Sequence, residues 1–322
     1  MNVVVIGLGS MGKRRIRLIR EMYPEFAVYG IDGRTDRRIE TKDLYGIPTF
    51  SALADLDSEM DCAFICTSPL SHATIIRDCL EREWNVFTEL NLIDTGYEEN
   101  IRLAKNKKCV LFLSSSFFYR EEIRYIKSKI VSSSRWNYIY HVGQYLPDWH
   151  PWENYKDFFI GDKRTNGCRE ILAIELPWLL SAFGEVTEFH VTSDKMTGLK
   201  IGFDDNYLIQ LKHKNGNKGM LVVDVVSPQA VRKLEAYAEG YYISWNGTPE
   251  SILEFDSESK NLVSVSLTEK AEHKEGYSSF IIENMYKNEI KEFFDVVLYG
   301  KEPLYGFEKD QKILSLIDAL GA

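Results

Sequence analysis

The chain has 322 residues, about twice the usual domain size, so two domains are expected, and 44% hydrophobic with 13% aromatic residues is too apolar for a disordered chain. The 39 basic and 48 acidic residues give a formal charge of −9, which disfavours attraction to nucleic-acid phosphates. No run approaches the roughly 20 apolar residues of a membrane span, and the start, Met1-Asn2-Val3-Val4-Val5-Ile6-Gly7, has no basic segment or cleavage site, so neither a membrane span nor a secretory signal is expected.

The first third alternates two periodicities. Val3 to Ile6 is a short β-branched run of the kind found in buried parallel strands, and Lys13 to Met22 carries Ile16, Leu18, Ile19 and Met22 on a helical stripe. Further strands are predicted at Phe26 to Ile31, Cys62 to Cys66, Asn85 to Thr88 and Val110 to Leu113, with helices at His72 to Arg82 and Tyr97 to Lys105. Repeated βα units predict a parallel sheet with helices on both faces.

After about Ser132 the pattern changes to short strands with tight turns. Tyr138 to Gln144, Val186 to Thr192, Tyr207 to Lys212, Met220 to Val226, Lys233 to Ala238, Tyr241 to Trp245 and Leu262 to Ser266 predict an antiparallel sheet. Helices are predicted at Arg169 to Phe183, Ile281 to Leu298 and Lys309 to Leu320, with Pro177 expected to kink or break the first. The fold class is an α/β Rossmann domain over residues 1–120, then an α+β domain with an open-faced, mostly antiparallel sheet over 121–322, the last helices free to pack on either. The five cysteines, Cys62, Cys66, Cys79, Cys109 and Cys168, are odd in number and without a C-x-x-C pair; they read as reduced cytoplasmic thiols, and no metal site is expected.

Gly7-Leu8-Gly9-Ser10-Met11-Gly12 matches G-x-G-x-x-G between a predicted strand and helix. That context gives the pattern its meaning: a tight turn at Gly7, backbone approach to a pyrophosphate at Gly9, close helix packing at Gly12, and free N–H groups of the helix start, including Ser10 and Met11, facing the anion. Asp32 ends the second strand, where a carboxylate accepts both hydrogen bonds of an adenosine ribose diol. Asp32 favours NAD, while Arg34, Arg37 and Arg38 leave NADP open.

Cys66-Thr67-Ser68-Pro69-Leu70-Ser71-His72, the helix to Glu83, and Asn85-Val86-Phe87-Thr88-Glu89 together resemble the glucose-fructose oxidoreductase / inositol dehydrogenase (Gfo/Idh/MocA) family, and with the glycine motif the resemblance covers nearly the whole chain. A second stretch, Gly143 to Trp152 with Tyr155 after it, resembles members that act on sugars or nucleotide-linked sugars of surface glycans. The resemblance implies a Rossmann domain that binds a nicotinamide dinucleotide, with Thr67, Ser68, Pro69, His72 and Glu89 in the cofactor cleft, a structural role in the loop being the competing reading of His72. It also implies a substrate lying against the open sheet of the second domain. In the family the lysine of Glu-Lys-Pro hydrogen-bonds the reacting hydroxyl, and a histidine and an aspartate on a helix of the second domain help to move its proton.

Here the sequence departs from the family. Leu90 and Asn91 follow Glu89, and Ile174-Glu175-Leu176-Pro177-Trp178 stands where His-Glu-Leu-Asp-Tyr is common. Neither Ile174 nor Pro177 can transfer a proton. The replacement candidates are His150, in an aromatic loop with Trp149, Trp152 and Tyr155, and Glu170, one helical turn before Ile174. Trp149, Trp152 and Tyr155 are candidate substrate contacts by stacking, and Lys163 and Arg169 by charge. Tyr286 reads as core.

The function expected is an NAD(P)-dependent oxidoreductase of a sugar or nucleotide-sugar, in the cytoplasm, as a homodimer or homotetramer because an open sheet face needs covering. Two alternatives remain. One is a catalytically altered family member that serves as a sensor or partner subunit; the other is a non-redox reaction with recycled NAD.

Overall fold

A computed structural model describes residues 1–130, 134–149, 154–273 and 280–322. The chain divides into two units, Met1–Ser115 with Tyr286–Lys312, and Ser116–Met285 with Ile313–Ala322. The division lies at Ser115/Ser116 where 120/121 was expected, and a C-terminal segment returns to the first unit.

The first unit runs β1 (Asn2–Ile6), α1 (Ser10–Met22), β2 (Ala27–Ile31), α2 (Thr35–Tyr45), β3 (Thr49–Phe50), β4 (Cys62–Ile65), α3 (His72–Glu81), β5 (Asn85–Thr88), α4 (Tyr97–Lys107) and β6 (Leu111–Leu113). The strands form one parallel sheet in the order β3-β2-β1-β4-β5-β6, with β1 at the point where the order reverses. Val3, Val4 and Val5 are fully buried, as a central strand covered on both faces requires, and Ile16, Leu18 and Ile19 of α1 are buried as well. Phe64, Phe87 and Phe112 stack side by side across β4, β5 and β6, with centroids 4.6 and 5.3 Å apart. Phe293, from α7 (Glu283–Tyr299), sets its edge against all three at 5.1 to 5.7 Å. That aromatic contact explains why the distant segment belongs to this unit.

The second unit contains α5 (Glu121–Lys129), β7 (Asn137–Gly143), α6 (Gly167–Phe183), β8 (Val186–Asp194), β9 (Asn206–His213), β10 (Lys218–Asp224), β11 (Val231–Ala238), β12 (Tyr241–Trp245), β13 (Leu253–Asp256) and β14 (Asn261–Ser264), and the end of α8 (Phe307–Leu320). Its eight strands are ordered β14-β13-β12-β11-β7-β10-β9-β8. Every pairing is antiparallel except β7 with β10, which are parallel. The period-2 pattern marks each strand but not its direction, so this pair was not visible in sequence.

Along β9, Tyr207, Ile209 and Leu211 point inward while Leu208, Gln210 and Lys212 point out. Apolar residues of α6 cover the inner face, and Glu175 fixes the helix there. Its Oε2 accepts Tyr140 O–H (2.6 Å) and Trp178 Nε1–H (2.7 Å), and its Oε1 takes two N–H groups of Arg232 (3.0 and 2.9 Å). The break expected at Pro177 does not occur: α6 continues from Gly167 to Phe183, locked by Glu175 and Trp178 on either side of the proline. On the outer face Ile139, Leu208, Met220 and Tyr237 remain 40 to 47% exposed. Among the described residues no helix is long and apolar enough to cross a membrane, and no His/Cys/Asp/Glu group is arranged to hold a metal.

Candidate functional site

The glycine turn is built for close approach. Gly7 has φ +94°, and a β-carbon on it would lie 2.7 Å from the Cys66 carbonyl group; one on Gly12 would lie 1.8 Å from the Gly7 oxygen. Over Gly9 only the flexible guanidinium of Arg37 comes within 4 Å of the β-carbon position. Ser10 and Met11 open α1, whose first turn holds no acidic residue, so its positive end is available to an anion. These features fit a dinucleotide pyrophosphate.

Asp32 is anchored where the ribose diol would lie. Oδ2 accepts the Leu8 N–H and Oδ1 the Arg34 N–H, each at 2.8 Å, and its remaining lone pairs can take hydroxyls. Of the three nearby arginines, Arg34 forks onto Asp36 (2.6 and 3.2 Å), and Arg38 donates to the Asp32 and Gly33 carbonyls and to Thr35. Arg37 lies beside the carboxylate at 3.6 Å.

After β4, Thr67 and Ser71 share a hydroxyl hydrogen bond of 2.8 Å, Ser71 also donates to the Ser68 carbonyl, and Pro69 opens a short 3-10 turn. His72 does not open onto this crevice. It is 2% exposed, with Nε2 2.9 Å from the Thr67 carbonyl and Nδ1 2.6 Å from the Asn91 amide, and burial lowers its pKa. The partner atom at Nδ1 is Asn91 Oδ1, with Thr88 Oγ1 3.3 Å away, so the Thr67 and Asn91 oxygens face a ring that carries one N–H when neutral. His72 therefore ties the Thr67 turn to the Glu89-Leu90-Asn91 turn.

Glu89 follows β5, and Arg15 of α1 grips its carboxylate at 2.6 and 3.1 Å. Glu289 of α7 binds the same guanidinium at 2.6 Å. Sequence reasoning missed Arg15, Asn91 and Glu289; Arg15 stands beside Ile16 on a helix that reads as amphipathic, and nothing local marks a charge there as buried.

In the second unit, Glu170 lies in the first turn of α6. The residue as a whole is only partly enclosed, yet its Oε2 is shut off from solvent with no hydrogen-bond partner, and burial raises the carboxyl to about 7. The Arg169 guanidinium binds Asp318 (2.7 Å) and the Ala322 carbonyl (2.8 Å), joining α6 to residues 318–322. Trp149 donates its indole N–H to the Gln144 carbonyl, and its ring would lie 3.5 Å from a β-carbon on Gly167, so it anchors its loop on the start of α6. Tyr155 O–H accepts the Lys200 N–H at 3.3 Å, and Lys163 is exposed. His150 and Trp152 lie outside the described residues.

Comparison with known proteins agrees with this geometry. Residues 1–115 match the family model GFO_IDH_MocA, described as an oxidoreductase family with an NAD-binding Rossmann fold. Human biliverdin reductase A is 28% identical over 196 residues, 60% of this chain and 62% of that protein, so the match spans less than two thirds of the relative. The whole fold is shared with UDP-N-acetylglucosamine 3-dehydrogenase of Acidithiobacillus ferrooxidans (TM-score 0.77, 14% identity, 99% of this chain and 96% of that one). It is shared equally with biliverdin reductase of Synechocystis sp. PCC 6803, solved with biliverdin and NADP+ (TM-score 0.77, 14% identity, 99% and 98%). Residues 1–115 are thus the NAD-binding Rossmann domain of the Gfo/Idh/MocA oxidoreductase family.

Proposed function

We propose that the protein is an NAD-dependent oxidoreductase acting on a hydroxyl- or carbonyl-bearing carbon of a sugar or nucleotide-linked sugar, with Glu170 handling the proton. The N-terminal domain binds the coenzyme and the second domain carries the substrate. The carrying observation is the Glu170 carboxyl, whose Oε2 is shielded and unpartnered and which burial raises to about 7, so that both protonation states are populated at neutral pH. Bound coenzyme supplies the hydride chemistry. In oxidation the Glu170 carboxylate takes the hydroxyl proton as hydride leaves the carbon; in reduction its acid form returns that proton. NAD is favoured because two amides hold the Asp32 carboxylate in the ribose position, where it repels a 2′-phosphate, and because Arg34 and Arg38 are turned to other partners.

A second reading is reduction of a conjugated, planar acceptor such as biliverdin. It is favoured by the likeness to human biliverdin reductase A and by Leu90, Ile174 and Pro177, since such a reduction needs an acid but no base for an alcohol. A cytoplasmic location is supported by five unpaired cysteines, and a homo-oligomer by the apolar outer face of the second sheet.

Fluorescence titration with NADH and NADPH, then assay against nucleotide-sugars and biliverdin, tests both readings. Turnover of a sugar that is lost in Glu170→Gln supports the first; turnover of biliverdin alone moves the assignment to the second. Full activity in Glu170→Gln with loss in His150→Ala would transfer the proton role to His150. Coenzyme binding without turnover across the panel would point to a sensor or partner subunit.

A further inference from the structure

The first unit contains a buried charge cluster that the dinucleotide fingerprint does not require. The Arg15 side chain is fully enclosed. Its Nε and Nη2 hold Glu89, and Nη2 also reaches Glu289, whose other oxygen accepts the Ser114 hydroxyl (2.9 Å) and the Ser115 N–H (2.8 Å). Phe87 and Tyr286 flank the guanidinium at 4.5 and 5.3 Å. Burial opposes the charge on Arg15, but the two carboxylates keep it protonated.

The placement of the cluster is informative. Glu89 is the first residue after β5, and Ser114 and Ser115 are the first after β6. Asn91, two residues beyond Glu89, continues through His72 to Thr67, just beyond β4. Two side-chain clusters, joined through the backbone of Glu89-Leu90-Asn91, therefore tie together the carboxyl ends of β4, β5 and β6. Asp32 follows β2, on the other side of β1. With the start of α1 holding a pyrophosphate and Asp32 an adenosine ribose, the residues left to meet the nicotinamide half would be those after β4, β5 and β6, on the opposite side of β1. A buried ion cluster is weak support for stability, because apolar groups of the same volume pack as well. What a forked guanidinium adds is direction: it sets the angle of the Glu89 carboxylate and of the turn that follows.

We propose that Arg15 and Glu289 are positioning residues for the nicotinamide half of the coenzyme site, acting through Glu89 on the Leu90-Asn91 turn. This rests on the coenzyme reading above. Calorimetry with NADH, and with ADP-ribose as a ligand lacking the nicotinamide, separates the two halves. For Arg15→Lys, which keeps the charge but loses the fork, the NADH Kd should rise about tenfold while that of ADP-ribose stays within about twofold. Equal weakening of both ligands, or no change in either, overturns the proposal. Because a lysine in this cavity can unfold the domain, the double replacement of Arg15 and Glu289 by Met serves as the second variant. It should still unfold in one cooperative step, at a lowered melting temperature because Glu89, Ser114 and Ser115 lose partners, and should keep ADP-ribose affinity while weakening NADH; wild-type NADH affinity in that variant overturns the proposal. Wild-type protein that takes up neither ligand refutes the coenzyme reading itself, and this proposal with it.

Discussion

Replacing Glu170 by glutamine separates chemistry from stability, because the features that suit the carboxyl to proton transfer also burden the fold. Its folded pKa, about 7, lies above the ordinary carboxylate value of 4.5. Between those values the native state holds the proton more tightly than the unfolded chain, so the contribution is greatest at low pH and is lost as pH rises toward 7. Above pH 7 the wild-type fold carries a penalty on the order of 3 kcal/mol. Glu170→Gln should therefore melt several degrees higher at pH 8 and lose this pH dependence. Its rate should fall by about 10²-fold or more with coenzyme affinity unchanged. At Asp32 the expected change is in binding: Asp32→Ser should weaken NADH about tenfold in fluorescence titration and NADPH less, since Arg37 is then free to meet a 2′-phosphate. The close-packed glycine turn at Gly7 and Gly12 was legible because the spacing of the motif constrains it; Asp32 and Glu170 were candidates placed by their position after a strand and on a helix. Arg15 and Glu289 could not, since their contacts cross 74 and 274 residues of chain, and Asn91 could not, since it bonds His72 from 19 residues away; of the two readings open for His72, its enclosed ring favours the structural one.

At the scale of elements, long apolar or alternating segments were legible and short or polar ones were not. β3 has two residues, and α2, Thr-Asp-Arg-Arg-Ile-Glu-Thr-Lys-Asp-Leu-Tyr, buries only Thr41, so neither offers the apolar period by which elements are recognised. α6 shows the reverse: its proline argues against continuity, but tertiary contacts at Glu175 and Trp178 outweigh that local preference. The dependence of α6 on this anchor can be measured. Glu175→Ala leaves Arg232 without its buried partner and should cost about 3–5 kcal/mol in denaturant unfolding. Exchanging Glu175 and Arg232 together for methionine should recover only part of that loss, since Tyr140 O–H and Trp178 N–H still lack their acceptor.

For the whole molecule, the outer face of the second sheet offers a surface of the size stable pairs use. Eight strands about 4.8 Å apart, each about 20 Å long, span roughly 800 Å². Ile139 and Met220 lie opposite each other in its middle. On the proposed pairing through this face, wild-type protein should scatter light as an oligomer and Met220→Glu as a monomer, without a lower melting temperature of the subunit; a monomeric wild type would remove the pairing. The first unit is discontinuous in sequence, and this has a consequence for its birth. While the ribosome holds the later chain, the Phe64, Phe87 and Phe112 rings have no Phe293 to cover them and Arg15 has no Glu289. The leading 115 residues must therefore wait, sticky and incomplete, until residues 286–312 have been made, an interval in which their uncovered rings expose apolar surface to other chains.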